Sequence, residues 1–243
     1  MTSTLVFPGS EISVPSSSKS VTFGPGIAAS TSRAEAADEP SEPRFVATRA
    51  GLLTSAKAKD RSESLWVEGV SKRYIPAQRD LVLGTIVARH AEGYRVDLGS
   101  AHMAALDALA FEGATKRSKP NLKVGTLVYA RVSLAHRDME PEIECVDPAT
   151  GKAEGFGELK GGLAVDVSLQ LCRQLLSPKH PLLPMLASRI PFETAIGLNG
   201  RLWFKTAEIG QTIALRRIIL AVDAGEIGTD KADIDRALSD YLA

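Results

Sequence analysis

The stretch LVLGTIVARHAEGYRVDLGS, residues 81–100, decides the fold class of this chain. Two runs of β-branched and other apolar residues flank the short polar connection HAE. In the second run Tyr94, Val96 and Leu98 alternate with polar residues, which is the period-two pattern of a strand with one buried face. The stretch therefore predicts two β-strands joined by a tight turn.

Strand-like runs continue on the C-terminal side of this pair. The five runs cover residues 81–90, 93–100, 103–109, 125–135 and 141–147. Five short strands suit a small Greek-key barrel of the OB type, which binds extended polymers on strands two and three and on the neighbouring loops. We assign residues 77–148 to this five-stranded barrel.

The chain before the barrel, residues 1–76, predicts a small β domain. Strand-like runs cover residues 4–7, 20–23 and 64–70, and the turn sequences PGS, PSSS and GPG lie between them. The segment AASTSRAEAADEPSEPR, residues 28–44, has too little apolar surface to order itself by burial. We therefore expect a disordered insertion near residues 28–44.

The chain after the barrel, residues 149–243, changes to a helical period and predicts an α+β domain. The expected helices cover residues 167–177, 180–189 and 211–223, the expected strands cover 192–197 and 201–206, and a last helix follows Asp230. In the helix over 211–223, the apolar residues Ala214, Leu215, Ile218, Ile219 and Val222 share one face. The predicted fold class is thus mostly β with an α+β C-terminal domain.

The charge balance argues against a chain that binds nucleic acid through bulk positive charge. Its 243 residues include 29 Lys and Arg and 29 Asp and Glu, so any phosphate-binding patch must be local. Cys145 and Cys172 lack the spacing of a zinc site, and no P-loop, GxSxG, HExxH or dinucleotide-binding motif is present. We expect no enzyme activity, metal or cofactor. The apolar runs are too short to span a membrane, which predicts a soluble intracellular protein.

A cationic segment, FEGATKRSKPNLK at residues 111–123, joins the third and fourth predicted strands. It carries Lys116, Arg117, Lys119 and Lys123, and no acidic residue from Gly113 onward. Cations on a loop beside such a barrel suit phosphate contacts along a single strand of nucleic acid. A solvated loop, or one that docks on an acidic partner protein, is an equal alternative at this stage.

Further candidates for RNA contact lie on or near the same predicted barrel. They are Arg89, His90, Tyr94, Arg95, His102 and Arg137. An exposed Tyr94 would stack on a base. Because Tyr94 shares its parity with Val96 and Leu98, an inward orientation is at least as well supported, and it would turn Arg95 outward.

Four carboxylates alternate over residues 138–144: Asp138, Glu140, Glu142 and Glu144. On one strand face they suggest a two-metal nuclease site. A single strand would spread them over roughly 20 Å, whereas catalytic carboxylates converge from different elements. A solvated strand edge, or a partner for the cationic segment, is therefore the favoured interpretation.

The sequence GLNG, residues 197–200, matches the GxxG pattern that clamps RNA in KH domains. In those domains the motif joins two helices, whereas here it lies between two predicted strands, and Asn-Gly is a strong hairpin signal. We favour a structural turn that involves Gly197, Asn199 and Gly200. Trp203, three residues further on, is expected to be buried beside it.

Several motifs together resemble one family. RYIP (residues 73–76), LAFEGATKRSKPNL (109–122), DMEPE (138–142) and GLNGRLW (197–203) resemble the cap subunits of the RNA exosome, of the ribosomal-RNA-processing protein forty type. The resemblance spans nearly the whole chain. It implies a small N-terminal β domain, a barrel of the ribosomal-protein S-one type and a C-terminal KH-type domain. It also implies that the GLNG turn packs between the barrel and the last domain.

The resemblance also implies a function and partners. Such cap subunits are non-catalytic, sit with other cap subunits on a ring of RNase-PH-like subunits, and guide single-stranded RNA into a 3′–5′ decay and processing channel with little sequence preference. Nuclear, nucleolar and cytoplasmic locations are implied as well. The alternative that remains is a free-standing factor that binds single-stranded RNA.

Overall fold

A computed structural model of the protein describes residues 4–14, 19–30, 44–57, 62–136, 138–178 and 180–242. The chain divides into two compact units, residues 1–70 and 71–243. No helix in the described ranges is both long and apolar enough to cross a membrane.

The described residues of the first unit form six strands. They are β1 (Thr4–Val6), β2 (Ser20–Phe23), β3 (Ile27–Ser30), β4 (Arg44–Ala47), β5 (Gly51–Lys57) and β6 (Ser62–Glu68). Four of them form a sheet in the order β1-β5-β6-β2, while β3 and β4 form an antiparallel pair. Val6 and Val67 from the sheet and Ala47 from β4 meet in one small core with Ile12. This core is thin for a unit of its length.

The prediction of disorder over residues 28–44 is wrong at both ends. Residues 28–30 belong to β3, and Arg44 begins β4. The register pairs Ile27 with Ala47 and Ser30 with Arg44, so backbone pairing orders both ends of this polar segment. Residues 31–43 lie outside the described part of the chain.

A closed barrel opens the second unit. Its strands are β7 (Leu81–Arg89), β8 (Gly93–Asp97), β9 (Ala104–Phe111), β10 (Leu127–Leu134) and β11 (Glu142–Cys145). Antiparallel pairs join β7 to β8, β8 to β9, β10 to β7 and β10 to β11, and a parallel pair of β9 with β11 closes the barrel. The predicted five-stranded barrel is confirmed. A two-residue strand not predicted from the sequence, β12 (Gly157–Glu158), adds to β10.

The barrel interior follows the predicted alternation. Tyr94, Val96 and Leu98 of the second strand region are all buried, together with Val82 and Ile86 of β7. Arg95 lies on the outer surface, as an alternation of two requires.

The remainder of the second unit is a three-stranded antiparallel sheet with four helices. Its elements are β13 (Leu163–Asp166), α1 (Leu169–Leu175), α2 (Leu182–Ala187), β14 (Phe192–Gly197), β15 (Arg201–Thr206), α3 (Ile209–Asp223) and α4 (Lys231–Leu242). The sheet order is β13-β15-β14. The predicted helices and strands are present, and β13 is an addition. Mostly β with an α+β C-terminal part is therefore the correct fold class.

Helix packing in this part follows the predicted apolar face. Ala214, Leu215, Ile218 and Ile219 of α3 are buried, and Val222 is half-buried. Helix α1 begins at a cap residue, Ser168, whose side-chain oxygen accepts the Leu171 N–H at 3.0 Å.

Candidate nucleic-acid interface

The segment between β9 and β10 is a folded loop attached to the barrel wall. We call residues 113–123 the basic loop. Thr115 and Ser118 exchange two backbone hydrogen bonds of 3.1 Å, which close a tight turn around Lys116 and Arg117. Beyond this turn, the side chain of Leu122 is buried in the barrel core.

The hydroxyl of Tyr94 fastens the basic loop from inside. It donates a hydrogen bond to the Pro120 carbonyl and accepts the Leu122 N–H at 3.3 Å. Only 4% of Tyr94 is exposed, and its ring meets Phe111 edge-on with centroids 6.5 Å apart. The interpretation of Tyr94 as a base-stacking platform is therefore wrong, because the ring faces the core.

Two predicted RNA-binding cations are used to hold the loop. Arg89 Nη1 donates to Asn121 Oδ1 at 2.5 Å, and Lys119 Nζ donates to the Ala91 carbonyl at 3.2 Å. Both contacts tie the basic loop to the turn between β7 and β8. Arg89 and Lys119 keep their positive charge near the loop, but part of their donor capacity is occupied.

The other three cations of the loop point to solvent. Lys116, Arg117 and Lys123 are exposed, and within the described ranges none of them makes a side-chain hydrogen bond or ion pair. Lys116 and Arg117 lie in the tight turn and Lys123 follows the buried Leu122. This arrangement leaves cationic groups free for phosphate oxygens.

The predicted carboxylates do not pair with the basic loop. Glu140 binds Arg95 at 2.7 Å, and Glu144 binds Arg131 through Nε at 3.0 Å and Nη2 at 2.5 Å. The suggestion that these carboxylates neutralise the basic loop is therefore wrong. The strand itself is short, since β11 covers only Glu142–Cys145.

An acidic cleft of about 400 Å³ lies on this side of the barrel. Its lining includes the carboxylates Glu92, Asp107, Glu142 and Glu144 together with the predicted RNA-binding residues His90 and Arg95. The described residues contain no group of three or more His, Cys, Asp or Glu side chains placed to hold a metal ion. The cleft thus gives no support to a two-metal nuclease, and its charge disfavours phosphate.

The two cysteines are buried and free. Burial raises the pKa of the Cys145 thiol to about 12 and that of the Cys172 thiol to about 12. Thiols in this condition stay protonated near neutral pH, so neither cysteine is suited to act as a nucleophile or a metal ligand.

Two predicted RNA contacts remain, His102 and Arg137. His102 is exposed and lines a separate recess of about 360 Å³ with Ile75, His136 and Met139. Arg137 lies outside the described residues. RNA binding by either residue stays a prediction.

The GLNG turn connects β14 to β15 and contacts the barrel. Asn199, only 7% exposed, accepts the Leu83 N–H at 3.1 Å and donates to the carbonyls of Leu83 at 2.7 Å and Leu98 at 3.0 Å. The side chain thereby replaces a missing strand partner for β7. These bonds support the interpretation of the turn as structural.

The glycines of this turn are required by close approach and by backbone conformation. Gly200 has φ +80°, and a Cβ there would lie 2.8 Å from the Val167 carbonyl oxygen. A Cβ on Gly197 would lie 2.2 Å from Asn199 Oδ1. A side chain at Gly197 would push against Asn199, and one at Gly200 would push against Val167 and Leu169.

Arg201 and Trp203 extend the same junction. Arg201 donates to the Asp97 carbonyl through Nη1 and to Asp97 Oδ2 through Nη2, both at 2.7 Å. Trp203 is buried and donates from Nε1 to the Gly161 carbonyl at 2.9 Å. Its indole packs with Leu83 of the barrel. Barrel and last domain are thus locked together by buried contacts.

A KH-type backbone clamp is missing at its usual place. The elements β13, α1, α2, β14, β15 and α3 follow the order β-α-α-β-β-α. Helices α1 and α2 are joined by the sequence LSPKHP, residues 176–181, which contains no glycine. The connection between α1 and α2 therefore contains no GxxG loop that could grip nucleotides.

Sequence reasoning missed two residues that shape the site. Asn121 holds Arg89, and Asp97 holds Arg201. Asp97 ends β8, and its side chain accepts a hydrogen bond from the Gly99 N–H at 2.9 Å. The Asp-x-Gly pattern in the sequence could have indicated this turn. Asn121 carried no signal, because its partner is 32 residues away in the sequence.

Barrel, basic loop and KH-like domain define a class of protein: a multidomain RNA-binding protein built around an OB-type barrel. Three family models match consecutive parts of the chain. They are the exosome complex exonuclease Rrp40 N-terminal domain over residues 21–73, the S1 domain of exosome complex component RRP40 over 74–157, and a KH domain over 162–210.

Whole-chain comparisons agree with the family models. Exosome complex component rrp40 of Schizosaccharomyces pombe is 48% identical over 212 residues, which cover 86% of this chain and 84% of that protein. Exosome complex component RRP40 of Saccharomyces cerevisiae is 39% identical over 221 residues, covering 90% and 88%. A crystal structure described as that of an exosome complex RNA-binding protein shares the fold with a TM-score of 0.57 at 20% identity, covering 70% of this chain and 95% of the other. The chain belongs to the RRP40 family of exosome complex components.

Proposed function

We propose that this chain is a non-catalytic cap subunit of the RNA exosome, which binds single-stranded RNA and guides it into the channel for 3′–5′ decay and processing, including that of ribosomal RNA. The observation that carries the proposal is the basic loop. It presents Lys116, Arg117 and Lys123 exposed, without a side-chain partner among the described residues, on a segment fastened to a barrel of the kind that binds single strands.

The charge distribution supports guidance rather than tight capture by this subunit alone. The chain has no net charge, and an acidic cleft lies on the barrel wall. Phosphate contacts position a strand without reading its bases. We therefore expect RNA to follow the side of the basic loop, with little sequence preference, along a path completed by neighbouring subunits.

An exposed apolar patch on the first unit is suited to docking onto partner subunits. Leu5 and Leu52 are cross-strand partners on β1 and β5, and Phe7 follows Leu5 by two residues. Their exposed fractions are 59%, 42% and 59%. An apolar patch on a unit with so thin a core is typical of a protein–protein interface. We propose that this patch contacts RNase-PH-like ring subunits.

The absence of catalysis is part of the proposal. Within the described residues no carboxylate, histidine and cysteine cluster is arranged for a metal, and both thiols are buried. The curated relatives are named as components of the exosome complex, whereas the family model over residues 21–73 carries the word exonuclease, so an activity measurement has to decide. Purified chain with added Mg²⁺ or Mn²⁺ should leave labelled RNA intact, and cleavage lost on mutation of Glu142 and Glu144 would overturn this part.

The RNA role is tested by charge reversal in the assembled complex. The triple variant Lys116→Glu, Arg117→Glu, Lys123→Glu is compared with a matched control, Lys152→Glu, Arg216→Glu, Lys231→Glu, which reverses three exposed cations outside the loop. We expect ultraviolet crosslinking of RNA to this subunit to fall about tenfold in the first variant only, since several phosphate contacts are lost. Equal crosslinking in both variants would refute the basic loop as an RNA contact.

The assembly role is tested by native mass spectrometry of the tagged protein. Leu52→Lys should reduce incorporation into the complex, whereas Leu109→Lys, at a leucine of the same 42% exposure on the barrel, should not. A wild-type chain that is isolated as a monomer with RNA bound would instead favour the free-standing RNA-binding factor.

We also propose that the protein works in the nucleus and nucleolus and in the cytoplasm, where such complexes process and degrade RNA. The support is family membership alone. Imaging of the endogenously tagged protein tests the proposal, and confinement to a membrane-bound organelle other than the nucleus would contradict it.

A further inference from the structure

The Tyr94 hydroxyl is buried, and among the described residues its hydrogen-bond partners all belong to the basic loop. Its two hydrogen-bond partners, the Pro120 carbonyl and the Leu122 N–H, both belong to that loop. The ring alone would satisfy the barrel core, where it packs against Phe111. A phenylalanine would fill the same space, so the hydroxyl matters chiefly for the loop.

The other polar fastenings of the loop are more exposed to water. The Arg89–Asn121 and Lys119–Ala91 bonds lie on the exposed surface, where water competes for the same donors and acceptors. Leu122 is buried but touches the core through its apolar side chain only. The hydroxyl is thus a buried polar link to the backbone of the loop on the C-terminal side of its turn.

We propose that Tyr94 is a positioning residue that holds the basic loop in its RNA-binding conformation. This inference rests on the proposed function, because it concerns how the same loop is presented to RNA. Without the hydroxyl, the Pro120 carbonyl and the Leu122 N–H lose their shared partner beneath the loop. The segment then samples open conformations. RNA affinity falls because binding must order the loop again, at a cost in conformational entropy.

The first test measures loop opening without RNA. The basic loop offers trypsin cleavage sites after Lys116, Arg117 and Lys123, whereas the bond after Lys119 is protected by the following Pro120. In the full chain, Tyr94→Phe should raise the rate of cleavage at Arg117 about fivefold, the effect of losing a hydrogen bond worth roughly 1 kcal/mol. Unchanged cleavage would overturn the inference.

A matched control isolates the hydroxyl. Tyr129→Phe removes a phenol from the same barrel, at a half-buried tyrosine whose ring packs on Phe156 at 5.3 Å instead of beneath the loop. Cleavage at Arg117 should stay at the wild-type rate in this variant. Acceleration in both variants, with a matching fall in melting temperature, would mean general loosening of the barrel and would overturn a positioning role.

The second test measures RNA affinity with a labelled oligouridine. Tyr94→Phe should weaken binding about fivefold while the dependence of affinity on salt keeps its slope, because every cation is still present. If charge reversal of Lys116, Arg117 and Lys123 abolishes binding but Tyr94→Phe changes neither cleavage nor affinity, this inference fails alone. If charge reversal has no effect, the proposed function fails, while the cleavage rate still reports whether Tyr94 holds the loop.

Discussion

The GLNG turn and the basic loop are two glycine- and asparagine-bearing connections with opposite uses. In the turn, Asn199 is buried and its side-chain amide makes three hydrogen bonds to the barrel. In the loop, Lys116 and Arg117 remain exposed and unpaired within the described ranges, and only the base of the loop is fastened. A polar motif whose hydrogen bonds end inside the protein is structural, whereas one whose charges face water is available to a partner.

The comparison predicts that changes in the turn alter stability and changes in the loop alter binding. The turn joins two domains through a low-solvent contact, so a lost partner leaves backbone groups unsatisfied. The loop is surrounded by water, which replaces any partner that is removed.

The largest expected effect is that of Asn199→Ala. The change leaves the Leu83 N–H and the carbonyls of Leu83 and Leu98 without their side-chain partner, at a cost of about 3 kcal/mol in free energy of unfolding. Urea denaturation measures it, and the exposed Asn121→Ala is the control with little effect. Equal stability of the two variants would contradict a structural role for the turn.

A smaller effect is expected for Trp203→Phe. The variant loses the bond from Nε1 to the Gly161 carbonyl and part of the indole packing, which together are worth about 1–2 kcal/mol. Thermal unfolding checks it against Trp66→Phe in the first unit, where the indole bonds to Glu68 Oε2 at 3.1 Å near the surface. If Trp66→Phe lowers the melting temperature more than Trp203→Phe, the burial of the indole does not determine the loss of stability.

The pH dependence of the junction gives a third prediction. Burial raises the pKa of Asp97, but hydrogen bonds from Arg201 and from the Gly99 N–H outweigh burial, so the pKa lies below its usual value. A depressed carboxyl pKa stabilises the fold above the unfolded pKa of about 4, and this stabilisation is lost as pH falls through the folded value. At neutral pH the melting temperature of the wild type should therefore exceed that of Asp97→Asn. The difference should be smaller than that between the wild type and Trp203→Phe, and it should disappear below about pH 4.

The control for this pH effect is a second carboxylate near the same guanidinium. Asp166 lies 3.6 Å from Arg201, but its side chain is 90% exposed. Asp166→Asn should leave the melting temperature unchanged at both pH values, because exposed pairs contribute little. A gap between wild type and Asp97→Asn that persists at low pH would show that the carboxylate charge is not responsible.

The smallest effect on stability is expected at the tip of the basic loop. Lys116→Ala combined with Arg117→Ala should change the free energy of unfolding by less than about 0.5 kcal/mol. The same variant should lower the slope of log affinity for single-stranded RNA against log salt by about 1.4, for two lost phosphate contacts. A change in the free energy of unfolding with an unchanged salt slope would mean that these two residues serve stability, as the turn does, and do not contact RNA.

Local patterns were enough to predict the strands of the barrel and most elements of the last domain. Period-two alternation at Tyr94, Val96 and Leu98 predicted an inward-facing strand, and a helical period predicted the buried face of α3. Strand β5, by contrast, was missed. Its sequence GLLTSAK lacks a clear alternation and is ordered by pairing with β1 and β6.

The site was predictable in its charges but not in their partners. Lys116, Arg117 and Lys123 could be chosen from sequence because four cations without an acid are unusual on a short loop. The ion pairs Arg95–Glu140 and Arg131–Glu144 could not be predicted from sequence, because each arginine comes from another strand. Nor could the sequence decide that Tyr94 supports the loop instead of stacking on a base.

The sequence by itself determined the barrel strands, the family resemblance and the cationic loop, because alternation, turn residues and composition act over short distances along the chain. The tertiary structure alone decided which cations stay free, which asparagine joins two domains, and where the Tyr94 hydroxyl is bonded. These outcomes depend on hydrogen bonds and burial between residues far apart in the chain, and both are set only when the barrel closes and the last domain packs against it.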